Sequence, residues 1–192
     1  MKKNKFIFIL LLPMLIISCN ENYYPKPHGY IRTDFPEKEY ILFDESYPFT
    51  FEIPVYSEVV ADSSLGAEKF WSDWNFPKFK ATVFISYKDI KNNLHEYEED
   101  TRELAYKHTI KADAIDPIIW ENHDEKVYGI LYDIKGNVAS QIQFYLTDST
   151  NHFIRGSFYF NCIPNKDSLA PSLKFLRQDI DKMIETFKWK DE

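Results

Sequence analysis

Cysteine is nearly absent from this sequence: Cys19 and Cys162 are its only two. A chain with so few cannot rest on a disulfide framework. Glycine is scarce as well, and Gly29, Gly66, Gly129, Gly136 and Gly156 are spread apart. That excludes a phosphate-cradling loop, which needs clustered glycines so that the backbone can approach the ligand. No G-x-S-x-G elbow occurs. His95-Glu96-Tyr97-Glu98-Glu99 begins like a zinc-protease helix, but Glu99 stands where the second histidine is required. His28, His108, His123 and His152 are scattered. The acids Glu96, Glu98, Glu99, Asp100 and Glu103 read as a solvated helix face, with a divalent-cation site as the alternative. No catalytic residue, metal site or cofactor is expected, and the chain reads as non-enzymatic. A hydrolase would need Ser, His and an acid to converge in one cleft.

Positive charge is also short: 23 Lys and Arg face 30 Asp and Glu, for a formal −7. This disfavours nucleic acid and anionic headgroups as partners. No apolar run reaches the roughly 20 residues that span a hydrocarbon core. Phe6 to Ile17 falls short and is broken by Pro13. Lys2, Lys3 and Lys5 precede it, and Ser18-Cys19 follow. That order is a secretory signal, with Sec export expected. Ile16-Ile17-Ser18-Cys19 resembles the lipobox of bacterial lipoproteins, which implies cleavage before Cys19 and acylation of it. The acyl chains, not a basic patch, would then hold the protein on a membrane. Removing 18 residues from 192 leaves 174, and the loss of three lysines takes the charge from −7 to −10. Cys162, left without a partner, reads as a small buried thiol.

The division expected is a signal peptide over 1–18, a lipid-anchored tether over 19–45, and one globular domain over 46–192. Tyr24-Pro25-Lys26-Pro27 favours extended backbone in the tether. Phe49 to Val55 alternates as a strand that Pro54 places at an edge or end. Residues 56–80 read as irregular, with Trp71, Trp74, Phe76 and Phe79 close together. Such a cluster either caps the core or lines a ligand pocket. Ala81 to Tyr87 is a strand. Ile90, Leu94, Tyr97, Thr101, Leu104, Ala105 and His108 form a helical stripe, with Asp89 as N-cap. Lys126 to Ile134, Val138 to Thr147 and Phe153 to Phe160 read as a meander with turns at 135–137 and 148–151. Leu173, Leu176, Ile180, Met183, Ile184 and Phe187 mark a last helix, with Pro171 in its first turn and Asp167 or Ser168 as cap.

These elements predict an α+β domain: a mainly antiparallel sheet of five or more strands covered on one face by two amphipathic helices. Their order is similar to that of the PsbP/Mog1-like sandwiches. Arg155, His152, Gln143 and Gln141 are polar residues on neighbouring strands. They read either as outward sheet residues or as a partner-binding face, where arginine contributes strongly.

Several passages together resemble GldD, the gliding-motility lipoprotein family of the Bacteroidetes. They are Tyr24 to Tyr30 with Arg32, Asp34 and Pro36; Phe49 to Pro54; Tyr106-Lys107-His108 with Lys111-Ala112; and Val127 to Tyr132. Gly136 to Ser140 with Gln143-Phe144, Phe153 to Gly156 with Tyr159-Phe160, and Pro164 to Leu169 complete the set. The resemblance implies a role in gliding and type IX secretion, with partners among the envelope proteins of that machinery, including sister lipoproteins. Asn20-Glu21-Asn22 supplies one acid after the cysteine, where surface-exported lipoproteins of the phylum carry a pair, so the domain is expected to face the periplasm. The alternative is a periplasmic small-molecule or lipid-binding module that uses the Trp71 to Phe79 cluster.

Overall fold

The computed structural model describes residues 34–190. The expected signal peptide, Cys19 and most of the tether lie outside the described residues. The chain begins with strands β1 (Tyr40–Phe43), β2 (Phe49–Pro54), β3 (Glu58–Ala61), β4 (Ser72–Phe76) and β5 (Ala81–Asp89). Helix α1 (Leu94–Tyr106) leads to β6 (Ala112–Asn122), β7 (Val127–Gly136), β8 (Ile142–Thr147) and β9 (His152–Phe160). Helix α2 (Lys166–Thr186) and β10 (Lys188–Trp189) finish it. One sheet has seven strands in the order β3-β4-β5-β9-β8-β7-β6, and the other has three in the order β1-β2-β10. All of these strand pairs are antiparallel. The α+β expectation holds.

Side chains alternate across a strand, so β9 feeds two faces. Ile154, Phe158 and Phe160 join Val83, Ile85, Trp74 and Phe76 in the main core. Helix α2 lays Leu176, Ile180, Met183 and Ile184 on this face. Phe49, Phe51 and Phe187 fill the gap to the small sheet, with the Phe51 and Phe187 rings stacked at 6.2 Å. Each such side chain contributes about 1.5–3 kcal/mol by leaving water. The opposite face carries Phe153, Tyr145 and Tyr132, and α1 covers them with Ala105. The helices therefore take one face each, where the sequence pattern predicts both on one. The reason is that β7, β8 and β9 are apolar on both faces and need cover twice.

Other boundaries also differ. Asp89 continues β5 opposite His152, so the N-cap of α1 is Asn93, without a side-chain cap bond. Helix α2 starts earlier than expected: Asn165 caps it by accepting from the Ser168 amide at 3.1 Å, and Pro171 lies inside the helix. Residues 56–80 contain β3 and β4, and β6 is a further strand that the sequence pattern does not signal. Strand β1 lies inside the expected tether, so the folded unit begins before residue 46. Strand β8 starts at Ile142 and not Val138. Cys162 is exposed, not buried, because it follows β9 in a loop.

The N-terminal segment is fastened to α2 by a buried carboxylate. Asp179 is fully buried. Its Oδ1 accepts from Lys38 Nζ at 2.6 Å and Tyr40 Oη at 2.9 Å, and its Oδ2 from Tyr56 Oη at 2.7 Å. Lys38 Nζ also donates to the Phe175 carbonyl at 2.9 Å and lies 3.5 Å from the Phe175 ring centroid. Burial first, and then Asp179, pushes both phenols up, so they remain donors.

The β8–β9 turn is built on Asp148. Its Oδ1 accepts from the amides of Thr150, Asn151 and His152 at 2.9, 2.8 and 2.8 Å. Burial pushes this carboxyl up, but these bonds outweigh it and hold the carboxyl below its usual range. A folded-state value below the unfolded one stabilises at high pH, and the benefit is lost as pH falls through the folded value. Asp148→Ala is expected to remove about 1 kcal/mol at pH 7. The gap to the parent should shrink below pH ~4, near the unfolded carboxyl value, as read by urea denaturation at both pH values. A gap that stays constant with pH would show that the carboxylate is not the source.

Candidate functional site

Arg155 is the one cation in an apolar strand, and the fold gives that a consequence. Its side chain points to the face shared with α1, beside the area that helix covers. Arg155 Nη2 donates to Gln143 Oε1 at 3.0 Å. Its Nε is buried without a hydrogen-bond partner among the described residues, and so is Ser157 Oγ two residues along. Burial pushes the guanidinium down from its usual range, opposed only by Tyr159. Both residues line an open cleft of about 450 Å³ with Trp71, Phe84, Asp62 and Asp73.

The sheet register places these groups. Asp73 of β4 stands opposite Phe84 of β5, and Phe84 stands opposite Ser157 of β9. Ser86 of β5 stands opposite Arg155. One strand thus separates the acid from the arginine. Burial, and then Asp62, pushes the Asp73 carboxyl up. Phe84 is 45% exposed between them.

The other three residues of the expected partner-binding face do not join Arg155 at a surface. Gln143 is buried as its hydrogen-bond partner. Gln141 is buried in the loop before β8, where its Nε2 donates to the Val138 carbonyl at 2.9 Å. His152 is buried on the opposite face, since positions 152 and 155 differ in parity. Its Nδ1 lies 2.7 Å from Tyr87 Oη, which donates to Asp89 Oδ1 at 2.8 Å, and its ring stacks on Trp189 at 5.1 Å. His152, Asp89 and Ser46 line a second cavity of about 570 Å³. The contact that His152 Nδ1 makes is with Tyr87.

The aromatic cluster divides. Trp74 and Phe76 are fully buried in the core, and Phe79 packs on Phe175 at 5.4 Å. Of the four, Trp71 reaches the cleft, with its Nε1 donating to the Tyr87 carbonyl at 3.1 Å. On α1, Glu99 pairs with Arg102 at 2.6 Å. Among the described residues no group of three or more His, Cys, Asp or Glu could hold a metal. No helix among them is long and apolar enough to cross a membrane.

Sequence reasoning missed β6. It is an edge of the large sheet, eleven residues long. Ile119 is 70% exposed on it. A long edge offers unpaired backbone groups to another chain, although Pro117 at its centre blunts this one.

Comparison with solved structures returns the solution structure of cyanobacterial PsbP (CyanoP) from Synechocystis sp. PCC 6803. It is 10% identical with a TM-score of 0.50, over 83% of this chain and 97% of that one. This likeness concerns the fold alone, and it agrees with the PsbP-like sandwich expected from the order of elements. Comparison with curated proteins gave no match. Residues 20–189 match the family described as gliding motility lipoprotein GldD. The match spans nearly everything after the expected anchor cysteine, and the chain belongs to the GldD family of gliding motility lipoproteins.

Proposed function

We propose that this lipoprotein supports the gliding machinery and the type IX secretion that accompanies it, by binding or stabilising other envelope components rather than by catalysis. Family membership over residues 20–189 carries the reading. The anchor is acylated Cys19, and the domain faces the periplasm. Exposed Ile118 and Ile119 on the β6 edge are the surface best suited to a protein partner, because apolar groups flank free backbone groups there.

The test is in-cell crosslinking from positions 119 and 155, followed by solubilisation and mass spectrometry. Recovery of motility or secretion components, including sister lipoproteins, from position 119 supports the proposal. Recovery of no envelope protein, in a strain that needs this protein for secretion, overturns it. Cys19→Ala is expected to move the protein from the membrane to the soluble fraction, scored by fractionation and blotting. A variant that stays in the membrane would remove the lipid-anchor premise.

A further inference from the structure

We propose that the cleft over β4, β5 and β9 binds a small zwitterion: Arg155 and Ser157 receive its carboxylate, Asp62 and Asp73 its ammonium group, and Phe84 and Trp71 an apolar side group. This goes beyond the machinery role and does not rest on it.

Three observations carry the proposal. First, Arg155 Nε and Ser157 Oγ are both buried without partners among the described residues, and both residues line the cleft. Ser157 is only 4% exposed. Buried polar groups are almost always paired, so two neighbouring donors left open mark a place for an acceptor. Second, the arginine is uncompensated. Its hydrogen-bond partner, Gln143, is neutral, and burial disfavours its charge. A carboxylate supplies both the missing acceptor and the missing charge. Third, the opposite wall has the reverse need. Asp73 is crowded by Asp62, and burial also disfavours its charge.

The two charges do not neutralise each other, because β5 runs between them and places Phe84 in the gap. Two strand spacings separate β4 from β9, about 10 Å between backbones. A dipeptide is of the same order, since a Cα spacing of 3.8 Å puts its termini roughly 6 Å apart and a hydrogen bond adds about 3 Å. A lone anion such as phosphate would leave the acids unserved. A fatty chain would leave both walls unserved.

The experiment titrates the full lipidated protein in detergent micelles with alanyl-phenylalanine, its N-acetyl form, its C-terminal amide and inorganic phosphate. The readouts are calorimetry and the NMR signal of the Arg155 Nε–H group. The free dipeptide should saturate and shift that signal. Blocking either terminus should weaken binding roughly tenfold or more, as expected for loss of a hydrogen bond to a charged group. Arg155→Gln should do the same. Asp73→Asn should remove the advantage of the free dipeptide over its acetylated form. No saturation, equal binding of the blocked forms, or equal binding of phosphate would each overturn the proposal. The blocked peptides probe the native protein, so they decide the matter even where a variant fails to fold. Failure here leaves the crosslinking outcome at Ile119 untouched.

Discussion

Asp179→Ala is expected to remove about 3–5 kcal/mol of stability, the range for breaking a buried charge pair by deleting one partner. The carboxylate is the common acceptor for Lys38, Tyr40 and Tyr56, so its loss strands one cation and two phenols at once. Lys38 is already disfavoured as a cation by burial, and Asp179 is what opposes that. The Lys38 side chain is 23% exposed, so partial access to water limits the loss and argues for the lower half of the range. For a domain of this size the melting temperature should fall by roughly 6–15 °C, at about 2–4 °C per kcal/mol. Protease cleavage ahead of Tyr40 should speed up in the folded protein, because the segment is freed from α2. Replacing the ion pair by apolar residues, Lys38→Met with Asp179→Leu, should recover the part of the loss that comes from the stranded cation, and leave the part that comes from the Tyr40 and Tyr56 hydroxyls. A midpoint for Asp179→Ala within about 1 °C of the parent, well under the shift expected per kcal/mol, would show that the contact adds nothing.

The second large effect is expected at Gly156. It lies directly across from Phe144 in the β8–β9 ladder. The Phe144 ring covers its Cα so closely that an added Cβ would sit 2.1 Å from the nearest ring carbon. Phe144 is fully buried in the close-packed core, so its ring cannot retreat without displacing neighbours. Gly156→Ala should therefore lower stability by about 3 kcal/mol, the upper end for overpacking in a close-packed core. Phe144→Leu alone also destabilises, by loss of packed area. The two together should cost less than their sum, since the smaller side chain makes room for the methyl group. A double-mutant cycle by urea denaturation measures the difference. Strictly additive losses would show that the close approach is not the cause.

Helix α2 is readable in the sequence because Leu173 to Phe187 repeats at the helical period over four turns. The β7–β8–β9 meander is readable because Gly136-Asn137 and Asp148 to Asn151 punctuate apolar runs. Strand β4 is not, since Trp74 and Phe76 alternate with polar residues over only five positions and look like a cluster of aromatics. Strand β6 hides for a different reason: as an edge with most of its side chains in water, it has no clean alternation, and Ile118-Ile119 breaks the period. Asp179 is invisible because an acid in a surface helix reads as solvated. Its partners lie more than 120 residues away in sequence. Arg155 is visible as the odd cation in its strand, and Gln143 beside it follows. Grouping it with His152 is an avoidable error, because residues three apart on a strand face opposite sides. The open valences of Arg155 and Ser157 belong to burial, which sequence does not state.

Strand β2 is the centre of the small sheet, with the first strand on one side and the last on the other. Trp189 pairs with Phe49, and Phe187 stacks against Phe51. That places a condition on the order of events during biogenesis. The earliest part of the described domain must wait for the latest before its own edge is closed. Until then Phe49 and Phe51 lack their aromatic lid. The small sheet is therefore complete only when residues 188 and 189 reach β2.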